Sequence, residues 1–220
     1  MKLSERLIGE TKKLWTEATK KEFLVSMARG TLDKDLYKNY MIQDYLYLMD
    51  YIKLLKRMLE AAEDEELRVF FKKIIKDTEY ETYKVHVPGL RALGITDKDI
   101  GACEKGKVIT DYTGYMQNRI EERGIIAGLT ALLQCSWNYA YIAGAVSDRY
   151  SDELSRSPYK SWFDAYTCKD YTDSNQLWID MLDKRTGELG SSEAEELCLI
   201  FKTCAGYENS LWDYFWRPQK

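Results

Sequence analysis

The chain has 220 residues, 45% of them hydrophobic and 31% charged, with a formal net charge of −4 and both signs scattered along its length. Such a chain can bury a sizeable core and is not a disordered segment, and without a basic block it lacks the electrostatic footprint of a nucleic-acid-binding protein. No apolar run approaches the roughly 20 residues that span a bilayer, and the opening Met-Lys-Leu-Ser-Glu-Arg lacks the apolar centre of a signal peptide, so a cytoplasmic protein with no nucleic-acid or membrane partner is expected.

Helical periodicity runs through the sequence and no alternating stretch makes a strand, so the expected fold class is all-α, one helical bundle forming a single domain over residues 1–220. A first helix is expected over about 4–19, then a turn region holding Gly30, then a long helix to about Glu60 capped by Thr31 or Asp33. A third helix begins near Glu63 and runs into His86, where Pro88 and Gly89 kink or end it. Beyond Gly94, Thr96 or Asp97 caps a short helix, and a fourth long helix spans about 106–122 until Arg123-Gly124 breaks it. The segment 125–149 is apolar on nearly all sides, the mark of a helix surrounded by others. Pro158 opens a short helix through Tyr166, another covers about 173–186, and Ser192-x-x-Glu195 reads as a capping box before a last helix to about Trp216.

Three of these helices carry a chemically active group on an apolar face. At about 100° per residue, Asp44 shares its side of the long helix with Tyr37, Tyr40, Met41, Tyr47, Leu48, Tyr51, Leu55 and Met58. Asp50, by contrast, leans toward Lys53 and Arg57 and reads as a solvated charge. Glu208 is central in a stripe of Leu197, Phe201, Cys204, Ala205, Leu211, Trp212 and Phe215, whereas Glu195 and Glu196 lie on the far side. Cys135 shares a face with Gly128, Ala131, Leu132, Asn138, Tyr139 and Ile142, where small residues leave room beside the sulfur. A carboxylate placed on an apolar face costs several kcal/mol unless it is neutralised or well hydrogen-bonded, so burial raises its pKa and makes it a proton donor. Two such acids and a thiol form a candidate catalytic set; Cys204, one turn before Glu208, is an alternative thiol.

The five cysteines are odd in number and lack C-x-x-C spacing, so reduced thiols are expected. The chain has one histidine, His86, too few for a di-iron Glu-x-x-His set. Neither a metal nor a cofactor is expected, and His86 reads as a packing or capping residue.

The segments Gly30-Thr31-Leu32, Tyr40-Met41-Ile42-Gln43-Asp44-Tyr45-Leu46-Tyr47-Leu48, Asp111-Tyr112-Thr113-Gly114-Tyr115-Met116, Leu133-Gln134-Cys135-Ser136-Trp137-Asn138-Tyr139, Tyr159-Lys160-Ser161-Trp162-Phe163-Asp164-Ala165-Tyr166 and Tyr207-Glu208-Asn209-Ser210-Leu211-Trp212-Asp213 follow one another along almost the whole chain. In that order they resemble the TenA family, the thiaminase II proteins of the haem-oxygenase-like helical fold. The resemblance implies an aminopyrimidine aminohydrolase in thiamin salvage or degradation, acting on a small aminopyrimidine or on thiamin, commonly as a homotetramer. It implies that Cys135, and not Cys204, is the nucleophile, that Glu208 protonates a ring nitrogen, and that Asp44 hydrogen-bonds a polar group of the pyrimidine. Tyr47, Tyr112, Tyr139 and Tyr166 are then expected to stack on the ring or orient the acids. Two positions depart from the family pattern: Leu211 stands where a phenylalanine is common, and Thr82 stands four residues before His86 where a glutamate is common.

Overall fold

The computed structural model describes residues 2–187 and 189–217; Met1, Glu188 and 218–220, and so both ends of the expected 1–220 domain, lie outside the described residues. Every regular element among them is helical. They form two compact units: the chain up to Leu32 together with Ile126–Trp216, and Asp33–Ile125 together with Arg217. The helices are α1 (Leu3–Ala18), α2 (Glu22–Arg29), α3 (Lys34–Glu60), α4 (Glu65–Tyr80), a π-turn (Glu81–His86), α5 (Val87–Ala92), α6 (Asp97–Ala102), α7 (Lys107–Arg149), α8 (Ser151–Leu154), α9 (Lys160–Thr167), α10 (Lys169–Arg185) and α11 (Ser191–Phe215). Within α7, Gly124 has φ 76° and ψ −161°, a conformation open to glycine and to almost nothing else, so the helix breaks there as expected.

In the first unit, Leu3, Leu7, Thr11, Trp15 and Ala18 recur every three or four residues on α1 and are all buried, so this face lies along α11 and α10. Each large apolar side chain so buried contributes roughly 1.5–3 kcal/mol. Trp15 meets Trp137 of α7 and Phe201 of α11 at ring distances of 5.6 and 5.9 Å, and Asn209 donates to the Leu14 carbonyl at 3.1 Å, fixing α11 against α1. The expected turn before Gly30 is in fact α2. Phe23, Leu24, Val25, Met27 and Ala28 are buried together while Glu22 and Arg29 stay exposed, and a helix of eight residues repeats its stripe too few times for the period to be read from the sequence. Gly30 ends it in the left-handed region at φ 71°, and an added Cβ would meet Pro158 at 3.2 Å and the Ser157 backbone at 3.3 Å. Glycine is thus required for conformation and for space. The turn it receives is tied down by Ser157 Oγ donating to the Met27 carbonyl at 2.6 Å and by the Tyr159 hydroxyl donating to Leu32 at 2.8 Å. The expected Ser192–Glu195 box is displaced: the Glu193 carboxylate accepts from the Gly190 N–H at 3.0 Å, so α11 starts a residue or two earlier.

In the second unit, Asp33, one of the two expected caps, accepts from the N–H groups of Asp35 and Leu36 at 2.8 and 3.3 Å and starts α3. Pro88 does not end the next helix. Its missing N–H releases a carbonyl one turn back, and the ladder widens just before it, with the Val87 N–H bonding Thr82 five residues earlier. The chain resumes as α5 and ends at Gly94, where φ is 79°. Thr96 caps α6 with Asp99 completing the box, at 3.3 Å and 2.7 Å.

Candidate functional site

In the second unit, α3 buries one side as its stripe predicts: Tyr40, Met41, Asp44, Tyr47, Tyr51, Leu55 and Met58 are all buried. Gln43, beside Asp44, is a clamp. Its amide donates to the Glu104 carbonyl at 2.8 Å and to Cys103 Sγ at 3.1 Å, while its oxygen accepts from the Gly106 N–H at 2.9 Å. These bonds fix the turn that launches α7, whose fully buried Tyr112 stacks on Tyr47 at 5.8 Å and 25°. Asp44 itself is 6% exposed. Burial pushes its carboxyl up to about 7, and a hydrogen bond with Tyr40 pulls in the opposite direction.

His86 packs against α3, as expected, and it also lies beside Asp44. His86 is buried, its Nε2 lies 2.8 Å from the Met41 carbonyl, and its Nδ1 lies 3.5 Å from Asp44 Oδ2. Glu81 adds a second acid. Its carboxyl is also pushed up to about 7, first by burial and then by the charge of Asp44, against the opposing pull of His86. Burial drives His86 the other way, below its ordinary value. Neither residue was singled out from the sequence as an active group, and local periodicity could not have found Glu81: four-residue counting from His86 reaches Thr82, and only the π-turn seen in the structure makes five-residue counting reach Glu81.

Asp50 is not the solvated charge it was expected to be. It is half-buried, pairs with Lys53 at 3.0 Å and with Lys105, and Arg57 turns instead to Glu121.

In the first unit, Cys135 and Tyr139 stand one turn apart on α7, and Glu208 and Trp212 one turn apart on α11. Tyr139 is the hub. Its ring meets Trp212 at 5.5 Å, Tyr166 of α9 at 4.9 Å and Trp162 at 5.9 Å. The thiol-bearing face of α7 and the acid-bearing face of α11 therefore share one aromatic layer. Glu208 is fully buried. Cys135 is half-buried whereas Cys204 is sealed in the core, so Cys135 is the more accessible of the two candidate thiols. One further residue belongs with them: Asn138, three positions after Cys135, is 1% exposed, and neither atom of its amide has a hydrogen-bond partner among the described residues. An orphaned buried amide costs about 1–3 kcal/mol, a cost that a bound polar ligand removes. Its sequence context placed it on the Cys135 face, with nothing to show that its amide would be orphaned.

The expected residues thus fall into two sets. Asp44, Tyr47 and Tyr112 are assembled in one unit, and Cys135, Tyr139, Tyr166 and Glu208 in the other. Among the described residues no group of three His, Cys, Asp or Glu side chains could hold a metal ion, and no helix is long and apolar enough to cross a membrane.

Known proteins match this chain from end to end. An aminopyrimidine aminohydrolase from Helicobacter pylori is 30% identical over 213 residues, covering 97% of this chain and 98% of that protein. Among solved structures, a TenA homologue from P. horikoshii OT3 superposes with a TM-score of 0.87 at 26% identity over 99% of both chains. A haem oxygenase from Leptospira interrogans shares the fold at a TM-score of 0.63 and 16% identity, over 97% of this chain and all of that one, so the expected haem-oxygenase-like, all-α fold class is correct. The model of the TENA/THI-4/PQQC family matches residues 9–217, and the chain belongs to that family.

Proposed function

We propose that the chain is a hydrolase, an aminopyrimidine aminohydrolase of the thiaminase II type, and that its two units work as one functional domain. The observation that carries the reading is the half-buried thiol of Cys135 in a chain that also buries two carboxyls, Asp44 and Glu208, on apolar helix faces. Family membership and the name of the Helicobacter pylori relative support it.

Cys135 is the nucleophile. Its sulfur bonds to an electron-poor carbon of the pyrimidine ring while Glu208 gives a proton to a ring nitrogen, so the ring loses its aromaticity without building up charge. The ring electrons then expel the group on the neighbouring methylene, which for an aminomethyl pyrimidine bound with its amine protonated leaves as ammonia. Water adds to the methylene, the C–S bond breaks as the ring becomes aromatic again, and the net change is replacement of the amine by a hydroxyl. Asp44 hydrogen-bonds a polar group of the ring, Asn138 satisfies its orphaned amide on the same substrate, and Tyr47, Tyr112, Tyr139 and Tyr166 hold the ring plane. This chemistry uses no cofactor. A small amine is the preferred leaving group and thiazolium the alternative.

The setting that suits this role is cytoplasmic thiamin salvage by a homotetramer. Exposed Tyr80, Tyr83 and Val85 offer apolar surface for assembly, which sedimentation of the purified protein would test.

The deciding assay supplies the pure protein with an aminomethyl pyrimidine and, separately, with thiamin. Turnover of the amine should be the faster, and Cys135→Ala should reduce both by at least about 1,000-fold, as expected when a covalent nucleophile is removed. Turnover that survives this substitution unchanged would sink the mechanism, and ligand binding without any turnover by the wild type would make the protein a pyrimidine binder.

A further inference from the structure

An α-helix places residues three and four apart on one face, and a π-turn places residues five apart there. Between Glu81 and His86 the backbone makes such a turn, with Val87 bonded to Thr82 across five residues. The consequence is chemical. With α-helical spacing, the residue sharing the face of His86 would be Thr82, whose hydroxyl is instead spent on the Thr78 carbonyl at 2.7 Å. With the widened turn the residue is Glu81, and both Glu81 and His86 interact with Asp44 of α3.

The tautomer of His86 follows from its contacts. A backbone carbonyl can only accept, so the nitrogen 2.8 Å from Met41, Nε2, must carry a proton. In a neutral imidazole that leaves Nδ1 bare, and Nδ1 is the atom 3.5 Å from Asp44 Oδ2. Two lone pairs at that distance repel, and a single proton between them attracts.

We propose that Glu81 and His86 are positioning residues that keep a proton on Asp44: the Met41 carbonyl orients His86 with a bare Nδ1 toward the carboxyl, and Glu81, brought onto the same face by the π-turn, opposes a second negative charge there. The groups around Asp44 agree. Tyr40 on its own helix is hydrogen-bonded to it, His86 of the π-turn lies 3.5 Å from it, and its charge raises the Glu81 carboxyl. The nearest basic groups of that segment are elsewhere, Lys84 exposed to solvent and Arg91 paired with Asp97. Burial raises both acids and lowers the imidazole, the direction that leaves the proton on the carboxyl side. A carboxyl held neutral in this way keeps an acceptor oxygen for the exocyclic amino group of an aminopyrimidine and carries no buried charge before substrate arrives. This use of the proton rests on the proposed role of Asp44 in binding the ring.

The chain has one histidine, so the imidazole signals of tag-free protein report His86 alone. Nitrogen-15 spectra across pH 5–9 should show, at neutral pH, a protonated Nε2 and an unprotonated Nδ1, with a titration step in the Nδ1 shift that disappears in Asp44→Asn. In Glu81→Gln, which keeps the shape and removes the charge, the step should move to lower pH, and the pH profile of kcat/KM for the aminomethyl pyrimidine should move with it. Glu81→Asp, which retains the charge, should restore part of the wild-type profile. A proton on Nδ1, or a step indifferent to both acids, would overturn the proposal. Expected spectra from a wild type without turnover would support the shared proton and remove only the pyrimidine-binding role of Asp44.

Discussion

Asp44 and Asp50 lie six residues apart on the same helix, and the two faces they occupy treat a carboxylate in opposite ways. Asp44 is raised to about 7 by burial, with a tyrosine, a histidine and a second acid around it and, among the described residues, no lysine or arginine paired with it. Asp50 is half-buried as well, and burial works against its charge too, but hydrogen bonds from Lys105 and Lys53 outweigh it and hold the carboxyl below its ordinary value. Burial alone therefore does not decide the state of a carboxyl; the sign of its nearest neighbours does. One aspartate serves the fold as an ion, and burial disfavours the charge of the other.

Removing the unusual acid should have the largest effect. Asp44→Asn should lower kcat/KM for an aminopyrimidine by about 100-fold or more, the scale of a lost proton-transfer or charge-assisted binding group. Its effect on stability has the opposite sign. Because the folded state holds the Asp44 proton up to about pH 7 while the unfolded chain releases it near 3.8, the folded form binds more protons in between, and wild-type stability falls as pH rises through that window. A rise of about three units corresponds to an upper bound of about 4 kcal/mol. The Asn variant should show a flatter profile in urea unfolding between pH 4 and 7 and should be more stable than wild type at pH 8. A variant that keeps the wild-type slope would show that Asp44 is already ionised in the fold.

Tyr40→Phe acts on the same carboxyl with a smaller effect. The Tyr40 hydrogen bond lowers the Asp44 pKa, so it favours the ionised carboxyl and counts most where that form is populated. Stability should drop by about 1 kcal/mol at pH 8, and by less at pH 5, where Asp44 is protonated with or without the tyrosine. Equal losses at the two pH values would mean that the hydroxyl serves packing or another partner.

Much of this contrast can be read in the sequence, and the unreadable part has a definite cause. A 27-residue helix repeats its stripe often enough that an acid in the apolar face is visible, and most buried positions of α3 are those the spacing predicts, Gln43, Ile52 and Leu54 being the additions. The same holds for Glu208 on α11, a 25-residue helix. The partners of Asp44 escape because they come from another helix whose register changes locally. Counting by four from His86 finds Thr82 and suggests that an acid is missing, whereas the π-turn supplies Glu81. Periodicity carries no record of a one-residue slip in the ladder, since that slip depends on a proline N–H that is absent and on packing against α3. Lys105 is hidden for a related reason: it reaches Asp50 from a turn whose place is set by the Gln43 clamp, a long-range bond that no local pattern announces.

The least disruptive change tests the ordinary acid. In Asp50→Asn the lysines lose their charged partner, but Lys53 and Lys105 are exposed enough for water to take over part of the bond, and a partly solvated pair is worth about 1 kcal/mol or less. The folded pKa of Asp50 lies below its unfolded value, so its contribution is present above pH 3.8 and is lost as pH falls through the folded value. The variant should therefore differ from wild type by a small, nearly constant amount from pH 5 to 8, with the gap closing only in acid, and kcat/KM should stay within about twofold. A pH-dependent gap near neutrality, or a large loss of turnover, would place Asp50 in the same titrating group as Asp44. The ion pair would then be part of the active machinery, and the two faces of α3 would no longer be independent.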